Sequence, residues 1–199
     1  MHAAELITTG VSGAFHCRFG NVDIALFKRL VIPGVIGGVL GAYVLVNLPG
    51  DESRPFIALY LLVMGLVIIR KALVKTEHRV VTTHLATIGF AGGFLDAIGG
   101  GGWGPVVTST LVARGNHPTV TIGSVNLAEF FVTFAQVATF VFTIGIHHWQ
   151  IIAGLIVGGV IAAPIAAYGT RRLPTRLLMA LVGALIVLVS IRTIYLALR

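Results

Sequence analysis

Asp96 is the only Asp, Glu, Lys or Arg between Val80 and Ala113, and it stands directly ahead of AIGGGGWGP, Ala97 to Pro105. A carboxyl group in so apolar a run must be protonated, paired with a cation, or held by hydrogen bonds. Each of these states suits proton or cation coupling. The alternative is a purely structural hydrogen bond to the amides that the glycines leave bare. In a helix interior each Gly costs about 1 kcal/mol relative to Ala, and Pro about 3 kcal/mol. Gly99, Gly100, Gly101, Gly102 and Gly104 therefore predict an unwound turn. Pro105 is suited to open a new helix, since its missing N–H is not needed there. The expected arrangement is a helix to about Ala97, a glycine turn, and a second helix from Pro105.

Unwound backbone cannot face lipid; it must be buried in protein or line a polar cavity. A second helix starting there offers free N–H groups and the positive end of its dipole, which suits an anion. The glycines allow close approach of a ligand, Thr108 and Ser109 add hydroxyls, and Trp103 is expected as a wall or gate. Close helix packing is the plainer reading of small residues, and it suffices for the glycines of GVIGGVLGA, Gly34 to Ala42. Asp96 stands near the negative end of the first half-helix, where a carboxylate is unfavourable.

Two further stripes carry polar chemistry. Asn126, Glu129, Thr133 and Gln136 follow a 3-4-3 spacing, which places them on one helix face. Glu5, Thr9 and Ser12 repeat the 4-3 part of that spacing at an offset of 124. Such stripes in apolar helices face a bundle interior or a watery path, and helix–helix hydrogen bonding is the alternative. Substrate contact is thus expected from Gly99 to Gly104, Thr108, Ser109 and Asn126. Proton coupling or a pathway is expected from Asp96, Glu129, Glu5, Thr133 and Gln136. His147 and His148 read as interfacial loop residues beside an anchoring Trp149. No HExxH and no nucleophile–base–orienter set is present, so no catalytic residue, metal or cofactor is expected.

The elements that must position these residues are membrane helices. The chain has 199 residues, 56% hydrophobic and only 11% charged, against about 25% charged in soluble domains. Seven apolar segments, roughly 1–17, 30–48, 55–74, 80–113, 119–146, 149–170 and 177–198, approach or exceed the span of a bilayer. The fourth is too long for one straight crossing and is expected to break or re-enter. The net charge of +7 falls mainly between the apolar runs, as membrane topology requires, and implies no nucleic acid. Cys17 is the single cysteine, so no intrachain disulfide forms. If every segment crosses once, nine Lys and Arg share one side and five the other, and the richer side is cytoplasmic.

PGVIGGVLGAY, Pro33 to Tyr43, matches GGVIAAPIAAY, Gly158 to Tyr168, at an offset of 125. The fold class is therefore all-α, a polytopic helical bundle in two repeated halves, 1–79 and 80–199. The second half contains the broken helix 80–113, and the first lacks an equivalent leading segment. An N-terminal shortening by about 40 residues, judged from that segment's length, or a natural seven-span variant accounts for this.

At DAIGGGGWGPVVTSTLVARG, Asp96 to Gly115, and at GNVDIALFKRLVIPGVIGGVLGAY, Gly20 to Tyr43, the chain resembles the sulfite exporter TauE/SafE family of membrane permeases. The resemblance implies about eight helices in two halves. It implies sulfur-containing anions such as sulfite and organosulfonates as cargo, and the bacterial inner membrane as location. The expected function is a secondary transporter, an exporter of a small anion coupled to the proton gradient. The alternatives are a non-transporting membrane subunit or an inactive, truncated permease, and third a membrane enzyme or assembly factor handling sulfur compounds. Expected partners are a small anion and the lipid bilayer, with a homo-oligomer left open.

Overall fold

The computed structural model describes residues 2–47, 54–73, 83–99, 103–144 and 149–197. These form eight α-helices: α1 (His2–Arg18), α2 (Ile24–Asn47), α3 (Arg54–Leu73), α4 (Leu85–Gly99), α5 (Ser109–Arg114), α6 (Pro118–Ile144), α7 (Trp149–Arg172) and α8 (Thr175–Ala197). A wide π turn over Gly104–Thr108 leads directly into α5. No strand occurs among the described residues. His147 and His148 lie outside them.

Four helices, α2, α6, α7 and most of α8, are long and apolar enough to cross a membrane. Their outer faces carry large exposed apolar side chains such as Ile36, Phe142, Ile161 and Leu188. Such faces are stable against lipid and unstable against water. The chain is a multi-pass all-α membrane protein.

The turns follow from local sequence. Gly20 and Gly115 both take positive φ, 71° and 112°, and each closes a Schellman-type end. Asn21 N–H bonds the His16 carbonyl at 2.9 Å, and Asn116 N–H bonds the Leu111 carbonyl at 3.0 Å. Asp23 then starts α2: its Oδ1 accepts the Ala25 and Leu26 amides at 2.8 and 3.1 Å, as an N-cap does.

The fourth apolar segment does not cross. Arg114, at the end of α5, donates from Nη1 to the Thr83 carbonyl just before α4, at 3.1 Å. Residues 83–99 and 103–114 thus enter and leave at one end of the bundle, as the two arms of a re-entrant hairpin. The same end holds the α1–α2 turn, the start of α6 and the C-terminal end of α7: Asn21 Nδ2 donates to the Ala167 carbonyl at 3.1 Å, and Thr119 Oγ1 to the Thr170 carbonyl at 3.0 Å.

The hairpin is held by backbone contact. A Cβ at Gly37 of α2 would run into the Phe90 carbonyl oxygen of α4. One at Gly41 would stand 2.5 Å from the Phe94 oxygen, and one at Gly93 of α4 would meet the Gly34 oxygen. Only glycine permits this approach. On the other side of the hairpin, Trp103, Val107 and Leu111 pack with Leu30 of α2 and with Val125 and Val132 of α6 in one buried cluster. Ile68, Val112, Met179 and Ile186 form a second cluster, which fastens α3 and α8 to α5.

Candidate functional site

Asp96 lies eleven residues into α4 and Glu129 eleven residues into α6. Both helices start at the same end of the bundle, so at 1.5 Å per residue both carboxyls sit about 17 Å deep. That is near the middle of a hydrocarbon core about 30 Å thick.

The helix resumes at Trp103, two residues earlier than Pro105. The reason is Asp96. Its Oδ1 accepts the Trp103 backbone N–H at 2.7 Å, and its Oδ2 accepts Gln136 Nε2 at 2.9 Å. Gln136 Nε2 also donates to the Gly93 carbonyl at 3.2 Å. One buried carboxylate therefore ties together the end of α4, the restart of the hairpin and the middle of α6. Pro105 is taken up inside the π turn, whose wide bonding pattern tolerates a residue without an N–H.

Glu129 approaches the same restart from the other side. A Cβ on Gly104 would stand 3.5 and 3.6 Å from its two carboxylate oxygens, and the Gly104 amide interacts electrostatically with that carboxylate. From α1, His2 Nδ1 lies 2.9 Å from Glu5 Oε2 and 4.0 Å from Asp96 Oδ2. The imidazole stacks on Phe140, with 5.5 Å between centroids. Two carboxyl groups from two helices thus flank one imidazole, and Glu129 stands on the other side of the helix restart.

The remaining expected residues lie in the two stripes and along the hairpin. Asn126 bridges the two polar stripes: its Oδ1 accepts the Ser12 hydroxyl at 3.0 Å, and its Nδ2 donates to the Ile122 carbonyl at 3.0 Å. Thr9 bonds back to the Glu5 carbonyl at 2.7 Å. Ser109 turns back on its own helix, donating to the Val106 carbonyl at 3.3 Å, and Thr108 is buried. Trp103 is fully buried, with its Nε1–H on the Val125 carbonyl at 3.1 Å and its ring against Gly34. It is a wedge in the core. Thr133 Oγ1 and the Oε1 of Gln136 are buried and without a hydrogen-bond partner among the described residues. Gly99 ends α4, and Gly100, Gly101 and Gly102 lie outside the described residues.

Two contributors were missed by sequence reasoning. His2 is one; its only signal is its place three residues before Glu5. Gly38 is the other: a Cβ there would crowd Gln136 Cγ and Nε2 at 3.1 Å, so its lack of a side chain makes the space in which that amide sits.

A family model described as sulfite exporter TauE/SafE matches residues 1–193. The chain belongs to the TauE/SafE family. It is 40% identical over 204 residues to the "Probable membrane transporter protein YtnM" of Bacillus subtilis (strain 168), across 98% of this chain and 68% of that protein. No solved structure matches it. As a TauE/SafE member the chain is a membrane transporter and not an enzyme.

Proposed function

We propose that this TauE/SafE protein carries a small anion, such as sulfite or an organosulfonate, as a proton-coupled secondary transporter. The observation that carries the reading is the meeting, at mid-depth, of a helix restart, whose Trp103 and Gly104 amides face carboxyl groups rather than helix carbonyls, with a cluster of buried acids. Helix starts attract oxyanions, and buried carboxyl groups facing one another exchange protons with their surroundings. Gly99 to Gly104 would hold the anion with Thr108, Ser109 and Asn126 nearby, while Asp96, Glu129, Glu5, Thr133 and Gln136 would serve protons or the path. The name of the family speaks for sulfite and for export.

Orientation follows from charge. Counting by backbone position, Arg18, Lys28, Arg29, Arg70, Lys71, Arg114, Arg171, Arg172 and Arg176 lie toward the end where the hairpin opens, and Arg54 and Arg192 toward the other. The first end is the cytoplasmic one by the positive-inside rule, so the hairpin enters from the cytoplasm. We also read 1–79 and 80–199 as repeated halves: α2 and α7 both run for 24 residues and start 125 residues apart.

The test is radiolabelled sulfite and methanesulfonate flux in proteoliposomes, comparing the parent chain with Gly101→Leu. The variant is expected to insert normally and to lose flux at least tenfold. Parent-like flux in Gly101→Leu would remove the glycine turn from the site.

A further inference from the structure

The amides that would receive an oxyanion are already faced by carboxylates. Asp96 Oδ1 takes the Trp103 N–H at 2.7 Å, and Glu129 lies against Gly104. A carboxylate is itself a small oxyanion, and one N–H cannot serve it and a sulfonate oxygen together. Asp96 and Glu129 therefore stand where a transported anion would stand.

A second observation points to another state of the same site. Gln136 Nε2 holds Asp96 Oδ2, yet among the described residues the Oε1 of that amide is buried and unpartnered, and so is the Thr133 hydroxyl one turn beyond Glu129. Buried polar atoms without partners need a reason. A protonated Asp96 supplies one. Its new O–H requires an acceptor, and rotation of the Gln136 amide brings Oε1 to the place now held by Nε2, giving up the longer bond to the Gly93 carbonyl. The Thr133 hydroxyl, one helical turn from Glu129 on α6, is the corresponding orphan beside that acid. These orphan atoms are what the neutral acids require and the ionised ones do not.

The charges around the pair fit this exchange. From α1 come Glu5 and His2, whose nearest carboxylate is Glu5 at 2.9 Å, with Asp96 at 4.0 Å. From α2 the positions packed against Trp103, Gln136 and Ala97 are glycines, Gly34, Gly38 and Gly41, which bring no charge. The imidazole stands beside Glu5 and Asp96, and no cation is placed beside Glu129 among the described residues. A further negative charge becomes tolerable when protons are added.

Resting on the reading that the hairpin tip binds the transported anion, we propose that Asp96 and Glu129 occupy the anion's donors in the empty carrier. The anion then binds only with the protons that neutralise them, which makes the protein an anion–proton symporter. Each proton comes from water onto a carboxylate oxygen and leaves from it when the anion departs. An inward proton gradient then draws the anion inward, and export runs down the anion's own gradient with a proton alongside.

The test uses the full chain carrying Trp149→Phe, which leaves Trp103 as the sole tryptophan. Methanesulfonate, whose charge is constant from pH 5 to 8, is titrated against Trp103 fluorescence. The Kd is expected to weaken about tenfold per pH unit if one carboxyl must be neutral, and up to a hundredfold if both must be. With Asp96→Asn and Glu129→Gln added, the slope is expected to vanish, leaving Kd constant within about twofold. A pH-independent or oppositely sloped Kd in the parent overturns the proposal and leaves the transporter reading standing. So does a slope that survives in the doubly substituted chain, or a complete loss of its binding at every pH. Absence of both methanesulfonate binding and flux in the parent overturns the underlying reading and the proposal together.

Discussion

Asp96 concentrates the chemistry of the molecule in two oxygens. Replacing it with Ala strips the Trp103 N–H and one Gln136 bond of their acceptor in the interior, and each buried orphan costs about 1–3 kcal/mol. Asp96→Asn keeps an acceptor for the Trp103 amide. The alanine variant is therefore expected to lose several degrees more in thermal midpoint, measured on detergent-solubilised protein, than the asparagine variant. Equal midpoints would mean that the Trp103 bond does not hold the hairpin. The importance of Asp96 was legible because no other charge shares its apolar run. Its partners were not, because Gln136 is 40 residues away and meets it only in the packed bundle. His2 was illegible for a plainer reason: one imidazole beside one carboxyl looks like any helix start.

At the scale of elements, the glycines divide into those that pack and those that open the chain. Gly37 touches the α4 backbone, where a methyl group has no room and no flexible neighbour to displace. Gly37→Ala is expected to destabilise the protein by about 1–3 kcal/mol or more, seen as a lower midpoint and poorer insertion. Gly104→Ala should leave the fold intact, since its methyl would rest on Glu129 oxygens at ordinary contact distance. Any loss of flux in Gly104→Ala then reports on the site. If the two variants are equally unstable, the α2–α4 contact does not carry the hairpin. The break itself was visible in the run of glycines, within two residues at each end. The π turn was not, because it results from Asp96 capturing the Trp103 amide before Pro105 is reached.

The whole molecule turns on the return of the hairpin. Hydropathy marks residues 80–113 as apolar and too long, and no property of that run alone says whether it crosses or comes back. The Arg114–Thr83 bond decides it. A crossing would have put Arg171, Arg172 and Arg176 opposite Arg18 and Arg70. The return joins them at one end, which strengthens the charge bias that orients the chain. Cys17, exposed at that end, is expected to react with a membrane-impermeant maleimide from the cytoplasmic side only. Labelling from the outside would invert the orientation.

The most direct test of coupled anion transport is uptake of methanesulfonate into proteoliposomes that hold an imposed pH gradient. A permanently charged sulfonate crosses lipid poorly unaided, so uptake reports on the protein. With the acid side outside, methanesulfonate is expected to accumulate above its external concentration and to leak back when a protonophore collapses the gradient. Uptake that stops at equilibrium and is indifferent to the gradient would contradict proton coupling.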